Sequence, residues 1–215
     1  CKGDFVYFTN NDVEINPGLV KNMVDVLWKD SSVAMVAQTT INYYDHKLVS
    51  GGTWVSRSMY CGHKRKTGNF DIIETPYHGG GMIRKSVIKK FGYIFDPDYF
   101  IYAEDLDLGM RIRLNGKKVL FDPDAVICHM HAVTTQKINK AHTTYLMERN
   151  LLTTHLKILS LKHVILYLPY VKFARFVAVI KDILALKFGL AVARIKALFW
   201  VAFNLDSIIK KRQQI

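Results

Sequence analysis

The stretch Tyr102-Ala103-Glu104-Asp105-Leu106-Asp107-Leu108-Gly109-Met110-Arg111 decides how this chain is read. Glu104 and Asp105 open a stretch with amphipathic spacing that runs to Leu114, and Asn115-Gly116 stops it, so a helix over 104–114 is predicted. The two acids follow the aromatic run Tyr99-Phe100-Ile101-Tyr102 within a loop over 96–102, which sets them against a cleft wall. Burial raises a carboxylate's pKa and makes it a better base. The plainer account is that acids in a first turn complement the helix dipole, and Asp107 fits it. Arg111 is placed to pair with one of these acids or with a phosphate.

Upstream, residues 4–9 are aromatic and β-branched and read as a buried strand ending at Asn10-Asn11-Asp12. A carboxylate just past such a strand sits at the carboxyl edge of the sheet, where α/β folds bind ligands. A hard divalent cation there takes oxygen ligands and keeps substrate phosphates in its shell. Asp12 is the natural ligand, with Asn11 orienting it or adding a carbonyl oxygen. By itself the triplet is also an ordinary turn cap. Two acidic clusters at the edge of one sheet are what metal-assisted transfer onto an alcohol requires.

The remaining elements alternate. A helix begins at Asn16-Pro17-Gly18, with Leu19, Val20, Met23, Val24 and Leu27 at helical spacing. Strands are expected at 33–38, at Ile72-Ile73, at 119–121 and at 125–128, the last two as separate short strands around Asp122-Pro123. Residues 48–55, with Gly51-Gly52, read as a hairpin or loop edge, and 57–70 as a basic, mobile segment. His78-Gly79-Gly80-Gly81 leads into a strand and then a helix over 86–91. Its glycines allow backbone to approach a ligand closely, although a flexible turn reads the same way. Alternating strands and helices mean an α/β layered domain.

The protein has 215 residues and a net charge of +12. From Tyr145 onward twelve Lys/Arg face three acids (Glu148, Asp182, Asp206), so nine of the twelve excess charges lie in the last third. Such asymmetry points to a polyanionic partner. The basic residues are interleaved with Leu, Ile, Val and Phe, which suits an anionic lipid surface better than nucleic acid. The uncharged runs reach nine residues at His163–Val171 and Ala197–Leu205. A spanning helix needs roughly 20, so helices lying in the interface are expected. Taken as one helix over 168–201, Lys172, Arg175, Lys187 and Arg194 share an arc of about 120°. A helical hairpin packed on the catalytic domain or on a second subunit is the competing reading, and a homodimer stays open. Cys1, Cys61 and Cys128 are odd in number and far apart, and no disulfide framework follows. Cys128-His129-Met130-His131 with Cys61-Gly62-His63 fits no structural zinc spacing.

In order along the chain, five pieces resemble family 2 glycosyltransferases of the GT-A fold, of the rhamnosyltransferase-like kind. They are Phe8-Thr9-Asn10-Asn11-Asp12-Val13-Glu14-Ile15-Asn16-Pro17-Gly18; Gly80-Gly81-Met82-Ile83-Arg84-Lys85; Phe91 to Asp96 with Tyr102 to Leu108 and Arg111; Pro123 to His129 with Thr134; and Tyr145 with Arg149-Asn150. The resemblance implies a partial GT-A domain, Rossmann-like and of the nucleotide-diphospho-sugar transferase type, over 1–140. A basic, amphipathic, membrane-associated helical extension follows over 141–215. It implies an inverting, metal-assisted transfer of a sugar to a hydroxyl of a glycan or lipid-linked acceptor, in cell-surface polysaccharide synthesis at the inner face of the cell membrane. Asp105 would be the general base, with Glu104 as neighbour or substitute. Asp12 would bind Mg²⁺ or Mn²⁺ on the donor diphosphate and His129 would complete that site. Asn10, Asn11, Gly80, Gly81 and Arg111 would contact donor or acceptor. The family's nucleotide-binding half precedes these pieces, so a cut inside a larger domain is expected. A non-catalytic fragment that docks on membrane or partner is the alternative.

Overall fold

The computed structural model describes residues 2–64, 73–130 and 139–213, which fall into two compact units. The first comprises Cys1–Trp54, Cys61–Asp96 and Asp105–Thr135; the second comprises Val55–Tyr60, Pro97–Glu104 and Gln136–Ile215. Cys1, residues 65–70 of the basic segment over 57–70, Ile72, His131 and Thr134 lie outside the described residues.

In chain order the elements are β1 (Phe5–Phe8), β2 (Val13–Ile15), α1 (Leu19–Lys29), β3 (Val33–Asn42), β4 (Leu48–Ser50), β5 (Thr53–Val55) and β6 (Cys61–His63). Then come β7 (Ile73–Glu74), β8 (Gly81–Arg84), α2 (Lys85–Phe91), a 3₁₀ turn (Pro97–Tyr99), α3 (Glu104–Leu114) and β9 (Lys118–His129). Four helices follow: α4 (Lys140–Ile158), α5 (Leu161–Leu184), α6 (Phe188–Phe203) and α7 (Leu205–Arg212).

The main sheet has the order β1-β8-β3-β9-β2, with β4 also on β3 and β7 also on β9. β3 and β9 are parallel, and β8 runs antiparallel to both β3 and β1. β1, β3 and β9 therefore share one direction, and their carboxyl ends lie on one edge. β3 is buried without a break from Val33 to Thr40, as expected of a central strand covered on both faces. On one face Leu19, Met23 and Leu27 of α1 meet Val33, Val36, Met82, Ala125 and Ile127. On the other, Val87 of α2 and Leu108 and Ile112 of α3 meet Ala34, Met35, Ala37, Ile83 and Val119. Burying the three α1 side chains contributes roughly 5–9 kcal/mol by area.

Two local expectations change. β9 is one strand, not two. Its register on β3 jumps from Gln38↔Asp122 to Thr39↔Val126, so Pro123–Ala125 bulge out. The Thr39 hydroxyl holds the bulge by donating to the carbonyls of Asp122 and Pro123, both at 3.1 Å. A bulge bends a strand and re-aims its end; here it aims His129. Residues 48–55 form no hairpin of their own, because β4 joins β3 and β5 joins β6.

In the second unit, α6 turns the small residues Ala191, Ala193 and Ala197 inward, and α4 buries Leu146, Leu151, Leu152 and Ile158. Caps fit the sequence: the Asn139 side chain accepts from Ala141 N and that of Ser160 from His163 N. The single helix assumed over 168–201 is broken at Ala185–Lys187, where Leu186 has a φ of 56°.

Candidate active site

The carboxyl edge of the sheet brings Asn10, Asp12 and His129 together. The chain leaves β1 at Phe8, runs along that edge and enters β2, which pairs with the end of β9 so that Val13 faces His129. His129 Nε2 lies 2.9 Å from Asp12 Oδ1 and 2.9 Å from Asn10 Nδ2. A single ring nitrogen cannot both donate to the carboxylate and accept from the amide. A cation satisfies Nε2 and Oδ1 together, and rotating the Asn10 amide adds a third oxygen. Adjacent ligands of an octahedral cation at roughly 2.1 Å lie about 3 Å apart, which matches the observed pair. Among the described residues no group of three or more His, Cys, Asp and Glu is placed to hold a metal. A cation held here would take Asp12 and His129 together with the Asn10 amide. Asn11 is exposed beside them.

Beneath this edge Tyr7 donates to Gln38 Oε1 at 2.8 Å, and Gln38 Nε2 donates to Thr9 Oγ1 at 3.1 Å. Gly80 packs on the same glutamine: a Cβ there would lie 2.4 Å from Gln38 Nε2. At Gly81 a Cβ would lie 2.2 Å from the Val36 carbonyl, and φ is +151°. Close strand packing therefore accounts for both glycines. A Cβ on Gly79 would sit 3.4 Å from Asp105 Oδ2. A continuous run of neighbours joins Asp105, Gly79, Gly80, Gln38, Thr9, Asn10, His129 and Asp12.

His78 orders the glycine loop. Its Nδ1 lies 3.0 Å from the Gly80 carbonyl and accepts from Gly80 N at 3.2 Å, while Nε2 lies 3.3 Å from Ser50 Oγ. Burial, with the nearby His63, pushes its imidazole down to about 4, so it is neutral in ordinary buffers. Asp105 Oδ1 accepts from Leu106 N at 2.8 Å. Burial pushes the Glu104 carboxyl up, and its Oε2 is buried with no hydrogen-bond partner. This supplies the elevated basicity expected of the acidic pair, and it falls on Glu104.

Arg111 needs correction. It is fully buried, pairs with Asp107 Oδ2 at 2.8 Å and donates to the Ile94 carbonyl. Its guanidinium lies over Phe91 at 4.9 Å and Tyr93 at 4.6 Å. No face is left for phosphate or acceptor. Asp107 is likewise its partner rather than a dipole ornament.

Of the four basic residues assigned to the membrane, two point inward. Arg175 is 2% exposed, pairs with Glu148 at 3.1 Å, donates to the Ser58 carbonyl and lies over Tyr60 at 4.3 Å. Arg194 pairs with Asp182 at 2.8 Å and also with Glu148. Tyr60 donates to Glu148 Oε1 at 2.9 Å, and burial pushes its hydroxyl up to about 12. Two acids and two arginines balance in charge, with Arg175 Nη2 buried without a hydrogen-bond partner. Lys172 and Lys187 are exposed.

α5 has the length and hydropathy that a membrane span requires. It is a 24-residue helix with mean hydropathy 1.5 over its best 18-residue window, 11% of it buried, long and apolar enough to cross a membrane. Counting uncharged runs missed this, because Lys172 and Arg175 interrupt the run in sequence while the mean over the whole window stays apolar. At about 100° per residue, the exposed Ile165, Leu166, Tyr170, Phe173, Phe176, Ile180 and Leu184 share an arc of about 140°. Lys172 and Lys181 flank it on either side.

Sequence reading missed Tyr7, Gln38 and Ser50, which are distant in sequence and carry no motif. It quoted His78 only as the start of a turn.

No protein-family model matches the sequence, and no curated protein is similar enough to be matched. Among solved structures, a crystal structure of GalNAc-T7 with UDP, GalNAc and Mn²⁺ is similar, with a TM-score of 0.54 and 17% identity. The similarity covers 71% of this chain and 31% of that one. At this identity the likeness is one of fold: the mixed α/β sheet resembles that of a GT-A-like glycosyltransferase.

Proposed function

We propose that this chain carries the acceptor side and metal ligands of an inverting, family 2 nucleotide-sugar glycosyltransferase. The observation that carries the reading is the unbroken run of neighbours from Asp105 through the glycine loop and Gln38 to the Asn10–His129–Asp12 group. A base and a metal-ligand set on one sheet edge are what transfer onto a hydroxyl needs.

In this reading Asp105 accepts the proton of the acceptor hydroxyl as its oxygen attacks the anomeric carbon. The new C–O bond forms as the bond to the nucleoside diphosphate breaks, with oxocarbenium character between. Asp12 and His129, with Asn10, would hold Mg²⁺ or Mn²⁺, which supplies charge neutralisation to the departing diphosphate. The fold likeness to a protein crystallised with UDP and Mn²⁺ supports this chemistry. A second reading puts Glu104 in the base role, favoured by its raised pKa and orphaned Oε2.

The apolar outer face of α5, flanked by lysines, suits an anionic lipid surface, with the long cationic side chains reaching headgroups. The acceptor would then be a lipid-linked or surface glycan assembled at the inner face of the cell membrane.

The test uses the protein in its full coding context, with Mn²⁺, membrane lipid extract and a panel of nucleotide sugars. Asp105→Asn should lower turnover by about 10²–10⁴-fold, the usual contribution of a positioned base. His129→Ala should weaken Mn²⁺ binding by at least about tenfold in calorimetry. Wild-type turnover matched by Asp105→Asn and abolished by Glu104→Gln assigns the base to Glu104. Absence of metal-dependent turnover with every donor overturns the transferase reading.

A further inference from the structure

Phe100, Tyr102 and Ala103 have φ of 62°, 70° and 59°. These left-handed values are rare for residues with a Cβ and cost energy. Three of them fall within four positions, directly ahead of Glu104, and none is Gly, Asn or Asp, which adopt this conformation most readily. Phe100 is 83% exposed, so packing of its ring does not dictate its backbone.

The constraint comes from α4. Arg149 Nε donates to Asn150 Oδ1 at 2.9 Å. A guanidinium only donates, so this contact fixes which way the amide faces. Asn150 Nδ2 then points at the carbonyls of Tyr99, Ile101 and Tyr102, at 3.0, 3.0 and 2.7 Å. Arg149 Nη2 donates to the carbonyls of Asp98 and Tyr99, at 2.9 and 3.0 Å. Its guanidinium lies over Trp200 at 4.9 Å and Tyr145 at 5.8 Å, which limits its swing. The Tyr99 hydroxyl lies 2.7 Å from Thr154 Oγ1, one turn further along α4. Five carbonyl contacts from two neighbouring side chains converge on one short bend.

We propose that Arg149 and Asn150 are positioning residues that impose the left-handed bend at Phe100–Ala103 and thereby set how deeply the Glu104 carboxylate is buried. An ordinary connection could turn here with glycine at no strain. An Arg-Asn pair instead holds a strained path whose exit is the acidic pair. The kinetic consequence rests on the transferase reading; the bend itself does not.

The experiment compares wild type, Asn150→Ala and Arg149→Lys in the full-length protein. Arg149→Lys keeps the cation and removes the fork, so it decides the matter if Asn150→Ala does not fold. Hydrogen exchange over residues 98–105 should accelerate on the order of tenfold, the effect of losing one or two hydrogen bonds, with β3 unchanged. The kcat for sugar transfer should fall about tenfold with donor KM within about threefold. The titration of the Glu104 carboxyl, followed by NMR, should move down toward that of an ordinary carboxylate as Glu104 gains water. Unchanged exchange over 98–105 in folded variants overturns the proposal, as does faster exchange with an unmoved Glu104 titration. Faster exchange in a protein that transfers no sugar overturns the transferase reading and leaves the bend standing.

Discussion

His78→Gln isolates one buried imidazole. The histidine is 4% exposed and holds the Gly80 backbone through Nδ1. Its pKa falls from 6.5 in the unfolded chain to about 4 in the folded one, first by burial and then by the charge of His63. Between those values the unfolded chain binds the proton and the folded chain does not, so stability rises with pH. That stability is complete above pH 6.5 and is lost as pH falls toward 4. The 2.5-unit difference corresponds to about 3 kcal/mol, with a limiting slope of about 1.4 kcal/mol per pH unit.

The assay is urea unfolding of wild type and His78→Gln at half-unit steps from pH 4 to 7.5. Apart from His63, whose charge is felt by His78, the other titrating groups are common to both proteins and cancel in the difference. At pH 7 the variant should be less stable by about 1–3 kcal/mol, for the lost contacts to Gly80 and Ser50. The gap should close as pH falls, because wild type alone must charge a buried ring. Parallel pH curves refute the reasoning, and so does an NMR titration placing the His78 pKa above 6.

Arg111→Met should destabilise by about 3–5 kcal/mol in urea unfolding, since it leaves Asp107 buried without its cation. Adding Asp107→Leu should recover most of that loss; if it does not, the pair is not what holds α3. Gly81→Ala should cost more than about 2 kcal/mol, because the new methyl meets the Val36 carbonyl at a φ of +151°. A thermal melt within 2 °C of wild type would show that β8 can yield there.

Much of the sheet was legible because local signals agreed. Leu19, Met23 and Leu27 repeat at four-residue spacing, and α3 begins and ends where its acids and Asn115-Gly116 place it. The two halves of β9 were not seen as one strand, because Pro123 reads as a break unless a bulge in β9 itself absorbs it. At the site, Asn10, Asp12 and His129 were legible as residue types. Their meeting depends on the chain crossing the sheet edge from β1 to β2, which no spacing shows. Arg111 was misread because its pairing with Asp107, four residues away on the same helix, competes with any role at a surface. Gln38 fills the space that Gly80 leaves and His78 holds the Gly80 backbone, both tertiary facts.

The tail's charge divides largely by residue type. Every arginine after Tyr145 turns to the protein: Arg149, Arg175 and Arg194 as described, and Arg212 to the Leu156 carbonyl at 2.7 Å. Of the eight lysines, Lys162, Lys172, Lys181, Lys187, Lys196 and Lys210 are exposed, while Lys157 is buried over the Tyr99 ring and Lys211 pairs with Asp98. The planar guanidinium fork suits buried pairs and carbonyls, whereas an ammonium on a flexible stem suits a wet or headgroup surface. The two cations should therefore fail in opposite assays. Replacing Lys162, Lys172, Lys181 and Lys187 by Gln should weaken binding to anionic vesicles by about 1 kcal/mol per lysine at low salt, and leave unfolding unchanged. Arg175→Lys should lower stability by about 1–3 kcal/mol, as the contacts to Glu148, Ser58 and Tyr60 loosen, and leave vesicle binding unchanged. If the lysine variant binds vesicles as wild type does, the apolar face of α5 meets another protein surface and the lipid reading of this tail falls.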